Sequence, residues 1–232
     1  MAQAGRHSNL TLAAFAAPCL PMAALGLPLV VQLPTFYSEV IGIPLETVGA
    51  IFLIIRLLDI TVDPFLGNLM DRTRTRVGRF RPWLLASILV MGIATWLLFM
   101  PPRAMAGPAF RFGWLLVVYI GFSMSVLAQT SWASVLSPDY DQRARIYGFW
   151  TIGNVLGIVL VLLIPVIIAQ KGGGLAAGVQ GMGWFIIILL PLTIGLAAWR
   201  VPEPVPKEPS KPQLIRTERG VGYVFTAAVE TT

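Results

Sequence analysis

The chain has 232 residues, of which 56% are hydrophobic and 12% are charged, and its mean hydropathy is +0.76. A water-soluble domain carries about 25% charged residues, so this composition excludes that class and predicts a membrane protein. The formal net charge of +6 would suggest nucleic acid as a partner of a soluble protein. Here Lys and Arg concentrate in particular loops, which predicts a role in membrane orientation and no nucleic-acid partner.

Six apolar segments are long enough to cross a bilayer as helices, which takes about 20 residues each. In chain order they are residues 10–37, 48–70, 83–100, 114–136, 146–169 and 182–199. Prolines crowd the first segment and predict that this span is kinked or broken. They are Pro18, Pro21, Pro28 and Pro34. We therefore predict an all-α membrane protein with a six-helix transmembrane domain over residues 1–203.

The distribution of Lys and Arg predicts which side of the membrane each loop occupies. The loops that would share a side with the N-terminus hold most of the 17 Lys and Arg residues, whereas the opposite side holds Arg103, Arg111 and Lys171. Because cytoplasmic loops carry an excess of positive charge, both termini are predicted to be cytoplasmic.

The second span carries the most unusual pattern of the chain. Arg56, Asp59 and Asp63 share one face of a helix at about 100° per residue. Each of these charges costs roughly 2.5–3.5 kcal/mol at the centre of a membrane helix. Such residues therefore face a protein interior or an aqueous cavity. Two carboxylates one turn apart beside a cavity suit a hard cation or a proton, whereas an ion-paired trio that only fixes helix packing is the alternative.

Two neighbours add oxygen atoms to this stripe. Pro64 has no N–H, so it frees the carbonyl of Ile60 four residues back. That carbonyl and the hydroxyl of Thr61 are further candidate ligands for a cation.

The loop over residues 67–83 is rich in arginine. Topogenic positive charge alone would explain it. The spacing of Gly67, Asp71 and Arg72 also predicts a close helix approach that is locked by charge, and Pro82 suits the first turn of the third helix.

Three stretches resemble the glycoside–pentoside–hexuronide:cation symporters of the major facilitator superfamily. They are Arg56 to Asp59 with Asp63 and Pro64, the loop 67–83, and Ser131 to Ala133 followed by residues 137–145. The resemblance covers about residues 8–204. It implies a major facilitator fold in the bacterial cytoplasmic (inner) membrane, and it implies a coupling-cation site at Asp59 and Asp63, which would be metal ligands if the ion is Na⁺.

The resemblance also implies roles for other residues. Arg56 would lie beside the sugar and cation pathway, and Trp132 would line the substrate cavity and stack on a sugar ring. The cytoplasmic gating motif of the superfamily would correspond to Gly67, Asp71, Arg72 and Arg76.

The chain departs from the family pattern at three places. An arginine of the fifth span is replaced by uncharged residues around Trp150 and Gly153, and the other two departures concern acidic residues. A fourth-span carboxylate is replaced by Ala128, and no Asp or Glu occurs between residues 10 and 37. The solute and the choice between Na⁺ and H⁺ therefore stay open. Uncharged polar groups could bind a hydroxylated solute instead, or they could serve as hydrogen bonds between helices. They are Gln32, Gln129, Thr130, Thr151 and Asn154, of which Gln129 and Asn154 are the preferred substrate-binding candidates.

Members of this superfamily have two six-span halves with substrate between them, and residues 1–203 resemble one half. Transport would therefore need a homodimer or a separate second half. Residues 204–232 are predicted to be a Pro-rich linker and a largely disordered tail. Residues 214–225 resemble the wing hairpin of winged-helix response regulators without a recognition helix, which suggests a fusion scar that cannot read DNA by itself.

The function predicted from these features is cation-coupled symport of a sugar or similar hydroxylated solute. No cofactor is predicted beyond the coupling ion, Na⁺ or H⁺. An enzyme is not predicted, because the sole histidine, His7, lies in the N-terminal segment and no nucleophile–base pair is visible. The alternatives are a non-transporting membrane anchor or sensor and an inactive fragment.

Overall fold

The first span is built from three helical pieces and not from one continuous helix. A computed structural model describes residues 7–40, 42–75, 77–100, 108–137, 139–203, 215–218 and 222–225. In it α1 covers Asn9–Ala16, α2 covers Cys19–Leu27 and α3 covers Leu33–Glu39, with a π-helical turn at Pro28–Gln32. The hydroxyl of Ser8 accepts the backbone N–H of Thr11 at 3.2 Å and caps α1. The predicted break is confirmed, because helices separate at Pro18 and wind differently from Pro28.

Five longer helices follow, each close to one predicted apolar segment. They are α4 at Leu45–Arg72, α5 at Arg81–Phe99, α6 at Pro108–Leu136, α7 at Tyr140–Gln170 and α8 at Leu175–Arg200. The starts of α1 and α5 and the ends of α6 and α8 meet at one end of the bundle. There the ring of His7 bonds the Leu136 carbonyl at 3.0 Å, and Arg81 donates to the Val201 carbonyl at 2.5 Å. This end is called the loop end below. Which side of the membrane it faces stays a prediction.

Length and composition support membrane spans for most of these helices. The stretch Asn9–Glu39 and the helices α5, α6, α7 and α8 are long and apolar enough to cross a bilayer. The exception is α4, in which Arg56, Asp59 and Asp63 interrupt the apolar sequence. Its 28 residues correspond to about 42 Å of helix, so its length is sufficient. The all-α character of the bundle is confirmed, whereas a span at α4, which would raise the number of spans from five to six, stays a prediction.

The bundle packs around α5, α6 and α8, while α1 and α2 lie against α7 and α8. The helix α7 approaches the first span through two glycines. A Cβ atom on Gly153 would lie 2.8 Å from the Ala16 carbonyl oxygen, and one on Gly157 would lie 2.9 Å from the Leu20 Cα. Both positions therefore require glycine, because a side chain would overlap the neighbouring backbone.

Two helices are covered on only one narrow face. The helix α4 packs against α6 through a stripe that contains Ile55, Leu66 and Met70, and its other faces are exposed. The helix α7 likewise leaves many large apolar side chains uncovered. They are Ile152, Val155, Leu156, Val159, Leu160, Leu162, Leu163, Val166 and Ile167. Apolar faces of this size need lipid or another protein surface.

A short hairpin follows the bundle. The strands β1 at Ile215–Glu218 and β2 at Gly222–Phe225 are antiparallel, with Ile215 opposite Phe225. This confirms the hairpin expected within residues 214–225, whereas its resemblance to a winged-helix wing stays untested. Both strands lie inside residues 204–232, which were predicted to be largely disordered. The rest of that segment, residues 204–214, 219–221 and 226–232, lies outside the described part of the chain, and its disorder stays a prediction.

Candidate functional site

The candidate site lies where α4 packs against α6. Asp59 belongs to the stripe of α4 that meets α6, so its carboxylate reaches the neighbouring helix. Its Oδ2 accepts a bond from Arg56 Nη1 at 3.3 Å, and its Oδ1 accepts one from the Ser123 hydroxyl at 2.8 Å. The Asp59 side chain is 14% exposed, whereas that of Arg56 is 68% exposed. One carboxylate is therefore held on both oxygens, while the guanidinium remains open to other partners.

Tyr119 adds a second contact from α6. The guanidinium carbon of Arg56 lies 6.0 Å from the centroid of its ring, within the range of a cation–π interaction. Tyr119 and Ser123 are four residues apart and therefore lie on the same face of α6. The sequence analysis missed both residues. Their i, i+4 spacing within an apolar span is a signal that could have indicated them.

Asp63 differs from Asp59 in having an unsatisfied oxygen. Its Oδ1 is buried and has no hydrogen-bond partner among the described residues. A buried carboxylate oxygen without a donor is costly unless a cation or a proton neutralises it. Asp59 and Asp63 lie one turn apart on α4 but differ in their hydrogen bonds. Both oxygens of Asp59 have donors, whereas Oδ1 of Asp63 has none among the described residues.

The donor set allows a test of whether a metal ion fits here. The described residues contain no group of three or more His, Cys, Asp or Glu side chains that could hold a metal ion. A Na⁺ ion would need hydroxyl, carbonyl or water oxygens besides Asp59 and Asp63. Hard cations accept such mixed oxygen ligands, so the orphaned Asp63 oxygen fits Na⁺ as well as H⁺.

Thr61 does not join this group. It lies about 200° around the helix from each aspartate, and its hydroxyl donates to the Leu58 carbonyl at 2.7 Å on the exposed side of α4. The sequence prediction placed Thr61 among the cation ligands because it lies between Asp59 and Asp63 in the chain. Helical geometry places it on the opposite side of α4 from them, and its role as a cation ligand stays a prediction.

Trp132 is enclosed by protein. It is 0% exposed, its ring meets Phe15 edge-on at 5.9 Å, and the Arg81 guanidinium lies 5.7 Å from its centroid. Its indole N–H donates to the Pro202 carbonyl at 3.4 Å. In this arrangement a sugar cannot reach the ring, so stacking on Trp132 would require the loop end to open. The predicted role remains a prediction.

Gln129 holds the broken first span. Its side-chain nitrogen donates to the Phe15 carbonyl at 2.9 Å and to Cys19 Sγ at 3.1 Å. The break at Pro18 interrupts the local helical hydrogen bonds, and Gln129 supplies a donor there. This contact matches the alternative of hydrogen bonding between helices. The Oε1 atom of Gln129 is buried without a partner among the described residues, so the amide still has one free acceptor.

Three of the remaining polar candidates bond within their own helices. Asn154 donates to the Trp150 carbonyl at 2.9 Å, Thr151 to Tyr147 at 2.9 Å and Thr130 to Val126 at 2.8 Å. These bonds neither bring the residues to α4 nor join two helices. Binding of solute by Asn154 stays a prediction.

The predicted gating motif makes different contacts from those expected. Asp71 forms an ion pair with Arg79, while Arg72 donates to the Asn68 side chain at 3.2 Å. A Cβ atom on Gly67 would meet nothing within 4 Å, so the close helix approach expected at Gly67 is not made within the described chain. Arg76 lies outside the described residues.

Glu203, which was not predicted from the sequence, joins the segment after α8 to the start of α5 at the loop end. Its side chain is 2% exposed, and its carboxylate accepts the backbone N–H groups of Arg79, Phe80 and Arg81 at 2.5, 2.7 and 3.2 Å. The first N–H groups of a helix have no partner within the helix. Glu203 therefore caps α5 with a full negative charge from the segment that follows α8.

Comparison with known proteins identifies the family. A sequence model described as MFS/sugar transport protein matches residues 14–227. The chain belongs to this family. It is 33% identical over 153 residues to the inner membrane symporter YicJ of Escherichia coli, covering 63% of this chain and 33% of the relative. It is 29% identical over 166 residues to the isoprimeverose transporter of Lactiplantibacillus pentosus, covering 69% of this chain and 34% of that protein.

A third relative is named for a different sugar. The raffinose carrier protein of Pediococcus pentosaceus is 28% identical over 163 residues, which cover 66% of this chain and 25% of the carrier. The chain thus spans between a quarter and about a third of the length of these relatives. Together with the apolar helices, the family places it among multi-pass proteins of the bacterial cytoplasmic membrane. The resemblance to cation-coupled sugar symporters of the major facilitator superfamily is confirmed at the level of the family.

Proposed function

We propose that this chain forms one half of a cation-coupled symporter for a sugar or similar hydroxylated solute, and that it is not an enzyme. The observation that carries the proposal is the orphaned carboxylate oxygen of Asp63, one turn from an Asp59 that is bonded on both oxygens. Such an oxygen in an otherwise apolar helix favours the binding of Na⁺ or H⁺. The relatives named as symporters and sugar carriers support the solute class.

Under this proposal the two carboxylates have different roles. Asp59 already has Arg56 and Ser123 as donors, so its carboxylate is held in a fixed position as a negative charge beside the cation. Asp63 receives the cation, and the exposed guanidinium of Arg56 is free to donate to solute hydroxyls. Cation and solute are then coupled if both favour the same conformation of α4 and α6.

The exposed faces of α4 and α7 support the need for a second half. The Arg56 side chain is 68% exposed, and the residues beside it on α4, Leu57 and Leu58, are exposed as well. A second copy of this chain or a separate six-helix half would cover these residues, since substrate binds between halves in this fold.

The test is uptake of labelled raffinose or isoprimeverose by proteoliposomes under a Na⁺ or a H⁺ gradient. Asp59→Asn and Asp63→Asn are each expected to abolish gradient-driven uptake, because the first removes the fixed charge and the second removes the cation ligand. Asp141→Asn, an exposed acid in the first turn of α7, is the matched control and should transport normally. Gradient-driven uptake that persists in both variants would remove the cation-site assignment.

A further inference from the structure

A second polar site lies at the end of the bundle opposite to the loop end, remote in sequence from Asp59 and Asp63. It is formed where α3 ends, α4 begins and α6 begins. Tyr37 and Arg111 face a small cavity whose remaining walls are apolar. These walls are formed by Ile43, Val48, Ile51, Phe52, Phe112 and Leu115.

Both polar side chains at this cavity are buried and incompletely bonded. Tyr37 is 3% exposed and Arg111 is 4% exposed. Neither the Tyr37 hydroxyl nor Arg111 Nε has a hydrogen-bond partner within the described chain. Buried polar groups are nearly always satisfied in folded proteins, so two orphaned donors at one cavity indicate a missing acceptor.

The charge of Arg111 strengthens this indication. The guanidinium carbon lies 5.4 Å from the centroid of the Tyr37 ring, and no described acidic side chain lies within 4 Å of the guanidinium. A cation–π contact alone offsets only part of the cost of burying a charge. A bound anion would both neutralise the guanidinium and accept its hydrogen bond.

The size of the cavity selects the class of anion. It has room for about one water-sized particle, so a single small ion suits it and a whole sugar does not. We propose that Tyr37 and Arg111 bind a small monovalent inorganic anion, such as chloride, between α3, α4 and α6. The anion accepts hydrogen bonds from the hydroxyl and from Nε, and the apolar walls exclude bulk water.

Thermal unfolding of the purified full chain in potassium chloride and in potassium gluconate of equal concentration tests this site. The cation is the same in both salts, so the result does not depend on the coupling-cation proposal. Chloride is expected to raise the melting temperature by a few degrees for each tenfold increase above its dissociation constant. Gluconate is too large for the cavity and should give no such rise.

Variants assign the effect to the two residues. Tyr37→Phe retains the ring beside Arg111 and removes only the hydroxyl, so it should weaken chloride stabilisation about tenfold in concentration. Arg111→Gln should abolish it. Tyr147→Phe and Lys171→Gln are the matched controls, because both residues are exposed, and they should respond like the parent chain.

Crystals soaked in bromide provide a readout that does not depend on the stability of the variants. An anomalous peak between the Tyr37 hydroxyl and Arg111 Nε is expected. Equal melting temperatures in the two salts, an unchanged chloride response in Tyr37→Phe, or a water molecule with no bromide peak would each overturn the proposal.

Discussion

The two aspartates of α4 differ although one turn of the same helix separates them. Asp59 is bonded by Arg56 from its own helix and by Ser123 from α6, whereas one oxygen of Asp63 is buried without a donor in the described structure. A donor bonded to a carboxylate competes with a cation for the same lone pairs. The environment of the two groups, and not their residue type, therefore sets which one is available for a cation.

Ser123→Ala tests this difference. Removing the hydroxyl leaves the Asp59 oxygen without its donor at 2.8 Å, so the pair should hold a cation more tightly. A hydrogen bond to a charged group contributes roughly 1.5–3 kcal/mol, so the half-saturating cation concentration for uptake should fall about tenfold. Ser123→Thr should restore the parent value.

Ser134→Ala is the control, because the Ser134 hydroxyl bonds only the Ser131 carbonyl of its own helix. A rise in the half-saturating concentration for Ser123→Ala would contradict this view. It would identify the hydroxyl as a cation ligand in its own right.

The sequence alone could predict the stripe of Arg56, Asp59 and Asp63, since helical spacing and the membrane cost of charge are local properties. It could not predict which partner each carboxylate meets, because Ser123 lies 64 residues away in the chain. The bond from Gln129 to the Phe15 carbonyl could not be predicted either, because 114 residues separate the two in the chain. Thr61 lies between the two aspartates in the chain but on the opposite side of α4, because nearness in sequence is not nearness around a helix.

At the scale of elements, α7 is held to the first span by a close approach that only glycine permits. Gly157→Ala places a Cβ atom 2.9 Å from the Leu20 Cα, so the helices must separate. Overpacking of this kind costs about 1–3 kcal/mol, and the melting temperature in detergent should fall by several degrees.

The matched variant Gly148→Ala lies on the same helix, and its Cβ atom would meet nothing within 4 Å. Alanine favours a helix over glycine by up to about 1 kcal/mol, so this change should be neutral or stabilising. Equal destabilisation by both substitutions would show that the α2–α7 contact is looser than described here.

The start of α5 depends on a carboxylate that belongs to neither α5 nor its loop. Glu203→Ala removes the acceptor of three backbone N–H groups. Loss of a helix cap costs about 0.5–2 kcal/mol, so the loop before α5 should open more often. Trypsin should cleave at Arg74 or Arg79 severalfold faster in intact proteoliposomes that expose this loop.

Glu46→Ala is the control for that experiment, because Glu46 is an exposed acid in the first turn of α4 at the opposite end of the bundle. Its cleavage rate should match that of the parent chain. An unchanged rate for Glu203→Ala would show that other contacts hold the loop.

The bounds of the helices were predictable only where the sequence is uniformly apolar. The prediction began the fourth span at residue 114 because Arg111 interrupts the apolar run, yet α6 begins at Pro108 and Arg111 is buried beside Tyr37. It began the sixth span at residue 182, whereas α8 begins at Leu175, since small residues and Gln180 lower the hydropathy of its first turns. Packing against neighbouring helices extends both elements beyond their apolar centres.

At the scale of the whole molecule, the exposed faces of α4 and α7 make this bundle one side of a larger assembly under the proposed function. If two copies form the transporter, the initial uptake rate in proteoliposomes should rise with the square of protein density at low occupancy. Vesicles that contain one copy should bind labelled solute without accumulating it. A rate that is linear in protein density down to one copy per vesicle would show that a single chain transports alone.

Glu203 is the last acidic residue of the bundle, and residues 204–232 begin directly after it. The Glu203 carboxylate accepts hydrogen bonds from the backbone at the start of α5. A pulling force on the segment that follows Glu203 therefore acts directly on the start of α5. Force applied to that tail would thus reach the arginine-rich loop through the Glu203 carboxylate.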